Sequence, residues 1–378
     1  MIDNILLIVF ILLLINYIIF LLRIFSGLKN LKSCDVDFMP EDFVTVIIPF
    51  RNETENILHS LKSIEAQNYP KEKYEVLFVN DFSQDDSLQK ISDCKKSDNI
   101  KILSVPSDYS MNAHKKRAIR FGIQNAKGKI IITTDADCNH NVDWLKSLLA
   151  CMKDDVGFVS GPVEFYSNES FFSKLQKIEF AGLVITGAGL IGSGKPIICN
   201  AANIAYRKNA FDKVNGFNDQ MNLSSGDDEL LMQKIWKETD YKVKFCTNKK
   251  AIVETDPNRT VKQFYQQRKR WASKGLFYAD KFLIVKLIFI YLFYVGLLVQ
   301  LVLGIFFSIY FVFSFIISFF LKALVEFLVL KKGSKVLFDK FFLCPFPIAE
   351  IIHLPYIIIA GISGAFGNFK WKNRTVKR

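Results

Sequence analysis

Two long apolar segments constrain the fold of this chain more than any other feature. Residues 5 to 22 form an almost uninterrupted apolar run, and Lys286 is the only charged residue between Phe282 and Leu321. Both runs exceed the length of about 18 apolar residues that marks a spanning helix. The sequence therefore predicts a transmembrane anchor over residues 1–24 and a membrane region of two or three hydrophobic segments over residues 281–368.

The residues beside the first apolar segment predict its fate and its orientation. A cleaved signal peptide is the alternative, but no basic stretch precedes the segment and no Ala-x-Ala-like site follows it. Arg23, Lys29 and Lys32 follow the segment, whereas only Asp3 and the amino terminus precede it. The positive-inside rule then predicts an integral protein of the cell (inner) membrane with residues 23 to 281 in the cytoplasm.

Cysteine usage predicts the state of the thiols, and net charge narrows the classes of binding partner. The seven cysteines are odd in number, scattered and without a Cys-x-x-Cys pair, which predicts buried or reduced thiols rather than a disulfide frame or a zinc site. The net charge is +12, with many basic residues near the membrane flanks. Attraction to anionic head groups explains this distribution, so we expect membrane lipids and no nucleic acid as partners.

Residues 40–280 show the alternation of strands and helices that is typical of an α/β domain. Strands are predicted at 44–49, 74–80, 100–105 and 129–134, and helices at 53–67 and 112–125. This rhythm predicts a parallel, doubly wound sheet. Beyond residue 150 we expect one strand over 156–165 and a helix over 169–191. Residues 189–195 match the spacing of a phosphate-binding loop, but Pro196 follows where that motif needs a hydroxyl, so we expect a turn there.

Two carboxylates, Asp135 and Asp137, directly follow the fourth predicted strand. In open α/β sheets this edge binds ligands. Two carboxylates two residues apart can share a hard divalent cation, which predicts a site for Mg²⁺ or Mn²⁺. A polar turn at the strand end is the alternative for this pair taken alone.

Four further motifs accompany the acidic pair, at residues 48–53, 79–87, 225–231 and 267–271. With them, the chain resembles the membrane-bound family 2 glycosyltransferases that have a GT-A domain, including cellulose, chitin and hyaluronan synthases and ceramide glucosyltransferases. The resemblance covers residues 40–280 and preserves the family's motif order. It implies a GT-A domain, a doubly wound mixed sheet that binds a nucleotide sugar, between the membrane segments.

The resemblance implies roles for residues on the donor side. The residues implied to contact the nucleotide sugar are Pro49, Glu53, Asp81, Lys115, Asp135, Gln267 and Arg270. Asp135 and Asp137 are implied to hold the metal on the donor diphosphate. The family's usual Asp-Asp pair is Asn80-Asp81 here, and an exposed helical lysine is the alternative for Lys115.

On the acceptor side the resemblance implies that Asp228 is the general base and that Asp227 and Trp271 contact the acceptor. A helix N-terminal cap is the alternative for the acidic pair. Interfacial anchoring is the alternative for residues 267–271, and we expect Arg268 and Lys269 to add such anchoring. Residues 199–203 weakly resemble the family's acceptor-side loop.

These features together predict an inverting transfer from a nucleotide sugar, expected to be UDP-linked, to a lipid-linked or glycan acceptor at the cytoplasmic membrane face. A processive polysaccharide synthase and a non-catalytic scaffold that binds a nucleotide sugar are the alternatives. In the membrane region, segments 283–302 and 304–321 are expected to form a hairpin. Because residues 369–378 form a basic tail, segment 346–366 is expected to be re-entrant or interfacial, with both flanks in the cytoplasm.

Overall fold

The computed structural model describes residues 2–34, 37–109, 114–166, 170–218, 226, 228–273, 278, 280–339, 343–366, 369–371 and 374–376. Its α-helices are α1 Ile2–Asn30, α2 Ile57–Glu65, α3 Ser87–Cys94, α4 His114–Asn125, α5 Trp144–Leu149, α6 Phe171–Gly192, α7 Lys208–Lys213, α8 Glu229–Glu238, α9 Val261–Ala272, α10 Lys281–Phe306, α11 Ile309–Leu337 and α12 Phe346–Phe366. Its strands are β1 Val44–Phe50, β2 Tyr74–Asn80, β3 Ile100–Ser104, β4 Ile130–Thr133, β5 Cys138–His140, β6 Val156–Ser160, β7 Val163–Phe165, β8 Ile204–Arg207, β9 Lys242–Phe245, β10 Val253–Thr255, β11 Phe369–Trp371 and β12 Arg374–Val376.

A seven-stranded mixed sheet with the order β3-β2-β1-β4-β8-β6-β9 forms the core of the soluble part. Strands β1, β2, β3 and β4 are parallel, as their apolar, β-branched sequences predict. The mixed sheet that the family resemblance implies is confirmed, because β8 enters between β4 and β6 and runs antiparallel to both. The strand–helix rhythm taken alone predicts a parallel sheet, which holds only for β1 to β4 and for the β6–β9 pair. The four parallel strands nevertheless end at one edge, which sets the position of the acidic motifs.

The single strand expected over residues 156–165 is divided in two. Gly161 and Pro162 separate β6, in the main sheet, from β7, in a three-stranded sheet with the order β5-β10-β7. A Cβ atom on Gly161 would lie 2.3 Å from Nδ2 of Asn203, which donates to the Pro162 carbonyl at 2.7 Å. This close contact and the missing N–H of proline explain why the ladder breaks here.

Among the described residues, five helices are long and apolar enough to span a membrane: α1 (Asp3–Asn30), α6 (Phe171–Gly192), α10 (Lys281–Phe306), α11 (Ile309–Leu337) and α12 (Phe346–Gly364). Helix α1 extends six residues beyond the expected end of the anchor at residue 24. It contacts α6 closely, since a Cβ atom on Gly27 would lie 1.8 Å from the Gly189 carbonyl oxygen. The turn expected over residues 189–195 begins later than predicted, because residues 189–192 are the last helical turn of α6. Gly194, with φ 75°, follows the helix end.

Helices α10 and α11 form the expected hairpin, but α11 is one continuous helix of 29 residues. The basic end of α11 returns to the soluble domain, because Gly333 contacts Ile185 of α6 and Lys249 pairs with Asp339. Helix α12 follows, and its last turn packs against α9, where Gly364 contacts Ala272.

Two of the seven cysteines are bonded, which corrects the prediction of unpaired thiols. Cys34, just after α1, forms a disulfide with Cys151, just after α5, across a Cα–Cα distance of 5.1 Å. The two residues are 117 positions apart, and sequence spacing does not reveal such a contact. Cys94, Cys138, Cys199, Cys246 and Cys344 carry thiols that are not joined in disulfides.

Candidate active site

One cavity of about 1340 Å³ extends from the carboxyl ends of β1, β2 and β4 to the walls formed by α9, α10, α11 and α12. Every predicted site residue that the structure describes lines it: Pro49, Glu53, Asp81, Lys115, Asp135, Asp137, Asp228, Gln267, Arg270 and Trp271. Asp227 lies outside the described residues. The motifs, scattered over more than 200 residues of sequence, thus share one space.

Two arginines that the sequence reading missed organise the loop after β2. Arg117 of α4 pairs with the buried Asp81, with Nε 2.9 Å from Oδ1, and stacks 4.8 Å from the Phe82 ring centroid. Arg51 donates to the carbonyl of Asp81 at 2.8 Å. Phe82 has φ 59°, a strained conformation for a bulky residue. In the sequence, the run of basic residues at 115–117 is the feature from which a role for Arg117 could have been predicted.

Asn80, where the family usually has Asp, stabilises the same loop. Its Oδ1 accepts from the backbone N–H of Ser83 at 2.9 Å, and its Nδ2 donates to Oγ of Ser104 at 3.4 Å. An amide can make both bonds because it carries a donor and an acceptor. The departure from the family pattern therefore preserves the turn beside Asp81.

The acidic pair after β4 has the chemistry of a hard-metal site. Asp135 is half-buried and pairs with Lys115, whose Nζ lies 2.6 Å from Oδ1, and Asp137 is exposed to the cavity. Burial, and then the charges of Asp137 and Asp135, raise the pKa of the Cys138 thiol well above its usual value. The neighbouring thiol therefore stays neutral, and carboxylate oxygens, which suit Mg²⁺ or Mn²⁺, make up the donor set.

His140, three residues beyond the pair, is a structural residue. Its Nδ1 bonds to Ser63 Oγ at 2.9 Å and its Nε2 to Thr134 Oγ1 at 2.8 Å. Burial lowers the pKa of its imidazole to about 3. Both ring nitrogens are thus engaged, and His140 is not available as a metal ligand.

Asp228 precedes the first residue of α8, but its side chain makes no capping hydrogen bond. Instead its Oδ2 accepts from the backbone N–H of Ala201 at 3.0 Å. The bond ties this buried carboxylate to the loop at residues 199–202, which also lines the cavity. Asn203, the last residue of the weak loop motif, lies in the core and accepts from Trp144 Nε1 at 3.0 Å.

Glu229 and Tyr278 lie beside Asp228 and were not predicted. Glu229 is buried and lines the cavity, as does Tyr278. Burial, and then the Glu229 carboxylate, to which the hydroxyl is hydrogen-bonded, raise the pKa of Tyr278 well above its usual value. Tyr278 therefore stays protonated and holds Glu229 next to Asp228.

Helix α9 places Gln267, Arg270 and Trp271 on the cavity and starts with a capping box between Thr260 and Gln263. The expectation that Arg268 anchors the helix at the membrane surface is wrong, because its side chain is buried. Arg268 pairs with Glu179 of α6, with Nε 2.9 Å from Oε1, and lies 4.3 Å from the Trp271 ring centroid. The guanidinium of Arg268 therefore makes a cation–π contact with the Trp271 indole.

Family comparison agrees with this geometry. Residues 45–214 match the model of "Glycosyl transferase family 2", and residues 130–349 match "Glycosyl transferase family group 2". The second match alone covers more than half of the chain. The chain belongs to the family 2 glycosyltransferases. It is therefore similar to enzymes that transfer sugars, and a non-catalytic scaffold is not supported.

Individual relatives agree with the family. Glycosyltransferase AglE of Haloferax volcanii is 37% identical over 125 residues, covering 32% of this chain and 40% of the relative. Poly-beta-1,6-N-acetyl-D-glucosamine synthase of Staphylococcus epidermidis is 25% identical over 242 residues, covering 61% and 54%. The chain therefore spans about half the length of these relatives.

A solved structure shows the same fold over nearly the whole chain. The mannosyltransferase PcManGT of Pyrobaculum calidifontis, in complex with GDP-Man and Mn²⁺, has a TM-score of 0.58 and is 18% identical. The match covers 95% of this chain and 98% of that one. The soluble domain of this family 2 enzyme therefore has the GT-A fold, and the apolar helices that precede and follow it are part of the shared architecture.

Proposed function

We propose that this enzyme transfers a sugar, with inversion, from a nucleotide-diphosphate sugar to a lipid-linked acceptor at the membrane surface. One observation carries the proposal. The cavity that holds the strand-end carboxylates is also lined by helices long and apolar enough to lie in a membrane. A water-soluble donor at the strand ends and a lipid between the helices can therefore meet where these two halves of the cavity join.

The residues along the cavity support a single displacement. Asp228 takes the proton of the acceptor hydroxyl as that oxygen attacks the anomeric carbon and the bond to the diphosphate breaks. Arg270 and Lys115 supply positive charge for the phosphates, and Lys115 exchanges its Asp135 contact for a phosphate oxygen. Asp135 and Asp137 would hold Mg²⁺ or Mn²⁺, which when bound offsets the negative charge of the leaving diphosphate.

The orientation follows from the basic helix ends. Arg23 of α1 donates to Ser193 Oγ at 3.4 Å, and the lysine-rich end of α11 also lies against the soluble domain. Basic ends of separate helices on one side favour the cytoplasm for that side. The Cys34–Cys151 bond favours an oxidising compartment instead. The basic ends of two separate helices outnumber this single bond as orientation signals, and we propose that the soluble domain faces the cytoplasm.

The Asp228→Asn variant tests the chemistry. Turnover should fall by about 10²-fold or more, the scale of a lost general base, while donor affinity stays nearly unchanged. Asparagine caps a helix as well as aspartate does, so a capping role predicts an almost unaltered rate. Initial rates beside a calorimetric donor titration separate the two roles, and an unaltered rate would refute the base.

The similarity to poly-beta-1,6-N-acetyl-D-glucosamine synthase favours a second candidate, a processive polysaccharide synthase. The two candidates differ in product size. Size-exclusion analysis of the radiolabelled product should show a lipid carrying a single added sugar. A ladder of products that lengthens with time would instead support the synthase.

A further inference from the structure

A group of ionisable side chains lies inside the membrane region, away from the donor residues. We call it the polar cluster: Tyr17 of α1, Tyr294 of α10, Lys322 and Glu326 of α11, and Glu350 and His353 of α12. Potential ligand atoms of Glu326, Glu350 and His353 lie within 4.8 Å of one another. Ionisable groups within membrane segments are costly to bury and commonly mark a functional site.

The cluster already contains its own cation. Nζ of the fully buried Lys322 lies 2.5 Å from Glu350 Oε2 and 3.0 Å from Glu326 Oε1. The Tyr17 hydroxyl donates to the same Glu326 oxygen at 2.5 Å. An ammonium group between the two carboxylates takes the place that a metal ion would need. The cluster is therefore a compensated polar surface rather than a metal centre.

One face of the cluster is open to the cavity. Glu326, Glu350 and His353 line the cavity. The His353 ring contacts the rings of Tyr294, at 5.6 Å, and Tyr356, at 6.0 Å, and makes no hydrogen bond to any residue that the structure describes. An imidazole with free hydrogen-bonding capacity, set in an apolar wall, is suited to bind a polar group of a ligand.

A continuous set of contacts connects the cluster with Trp271. Tyr356, stacked on His353, donates to Glu179 Oε1 at 3.3 Å. Glu179 pairs with Arg268, which lies against the Trp271 ring. Trp271, Tyr356 and His353 all line the cavity, so one acceptor molecule can contact Trp271 at one end and the polar cluster at the other.

The charges of this half of the cavity disfavour an anionic acceptor. Glu179, Glu326 and Glu350 line it, and among the described residues here Arg268 is paired with Glu179 and Lys322 with the other two carboxylates. Arg270 also lines the cavity, but the motif assigns it to the donor diphosphate. A phosphate placed here would find the described cations of this half already engaged by carboxylates, whereas an uncharged hydroxyl or amide needs no such cation.

We propose, resting on the proposed lipid acceptor, that Glu350 and His353 bind an uncharged hydroxyl- or amide-bearing backbone of that lipid. The acceptor is then a neutral lipid alcohol rather than a polyisoprenyl phosphate. One hydroxyl of the lipid reacts beside Asp228 while a second polar group bonds to the polar cluster.

The test uses the full-length enzyme in phosphatidylcholine nanodiscs with radiolabelled UDP- and GDP-hexoses. The acceptors are diacylglycerol, ceramide, their monohexosides and a polyisoprenyl phosphate. We expect transfer to a neutral lipid and none above background to the phosphate. His353→Phe and Glu350→Gln should each raise the KM for the lipid roughly tenfold, the loss of about one hydrogen bond.

Gln300→Leu is the matched control, because Gln300 is a buried polar residue of α10 that accepts from Ser314 at 2.6 Å and does not line the cavity. Its acceptor KM should not move. Faster transfer to the phosphate, or an unchanged KM in both cluster variants, overturns the inference and leaves the proposed function intact. Donor hydrolysis with no transfer to any lipid overturns the proposed function itself. If His353→Phe does not fold, the inference is tested with His353→Gln and with the ranking of acceptors by the wild-type enzyme.

Discussion

The two halves of the cavity are built in different ways. In the donor half, Glu53, Asp81 and Asp135 follow strands β1, β2 and β4, so the parallel sheet brings them to one edge. In the membrane half, side chains from α9, α10, α11 and α12 meet only because those helices pack together. Local sequence patterns therefore identify the first half, whereas the second depends on contacts between distant helices.

The halves also differ in how they balance charge. Asp135 and Asp137 line the cavity and Lys115 pairs with Asp135, so both signs of charge are present for a cation and a phosphate. The carboxylates of the membrane half are held by the buried cations Arg268 and Lys322. The donor half is thus equipped for charged ligands, and the membrane half for uncharged ones.

The largest expected effect concerns the donor half. Asp137→Ala should reduce turnover by about 10³-fold, because removal of metal charge stabilisation costs several kcal/mol in the transition state. An excess of chelator should abolish wild-type transfer, and added Mn²⁺ or Mg²⁺ should restore it. Initial rates on reconstituted enzyme measure both effects.

Asp98→Ala is the control for the metal experiment, since Asp98 is exposed and lies outside the cavity. Its rate should equal that of the wild-type enzyme. Full transfer in the presence of chelator would show that the two halves do not differ in their need for a cation.

Sequence patterns predicted that Glu53, Asp81 and Asp135 lie at one edge of the sheet, as they do, because each follows a strand whose period and composition are local. Their roles stay predictions. The sequence patterns missed Arg117 and Tyr278, which act through contacts with Asp81 and Glu229 from other elements. They also missed the polar cluster, since Lys322 and Glu350 lie 28 residues apart on separate helices. The antiparallel strand β8 was not predicted either, because the sequence of a short strand carries no signal for its direction.

The second effect concerns the boundary between the halves. Glu179→Gln leaves Arg268 buried without its carboxylate, which should destabilise the fold by about 3 kcal/mol. The shift of Trp271 that follows should raise the KM for the acceptor more than that for the donor. Thermal unfolding in detergent and steady-state kinetics provide the two readings.

Lys242→Met is the matched control for the ion pair. It removes the pair with Asp155, in which both side chains are more than half exposed, and should change stability by less than about 1 kcal/mol. Equal destabilisation by the two variants would mean that the Glu179–Arg268 pair is no more important than a surface contact.

The central claim is that donor and lipid occupy one continuous cavity. Electron cryo-microscopy of the enzyme in a lipid nanodisc, with Mn²⁺, a non-hydrolysable nucleotide-sugar analogue and the acceptor lipid, tests it most directly. We predict density for the diphosphate beside Asp135 and Asp137, and density for one lipid that runs from Trp271 to His353 between α10 and α12. Nucleotide bound at the strand ends with the lipid held on an outer face of the helices would contradict the account.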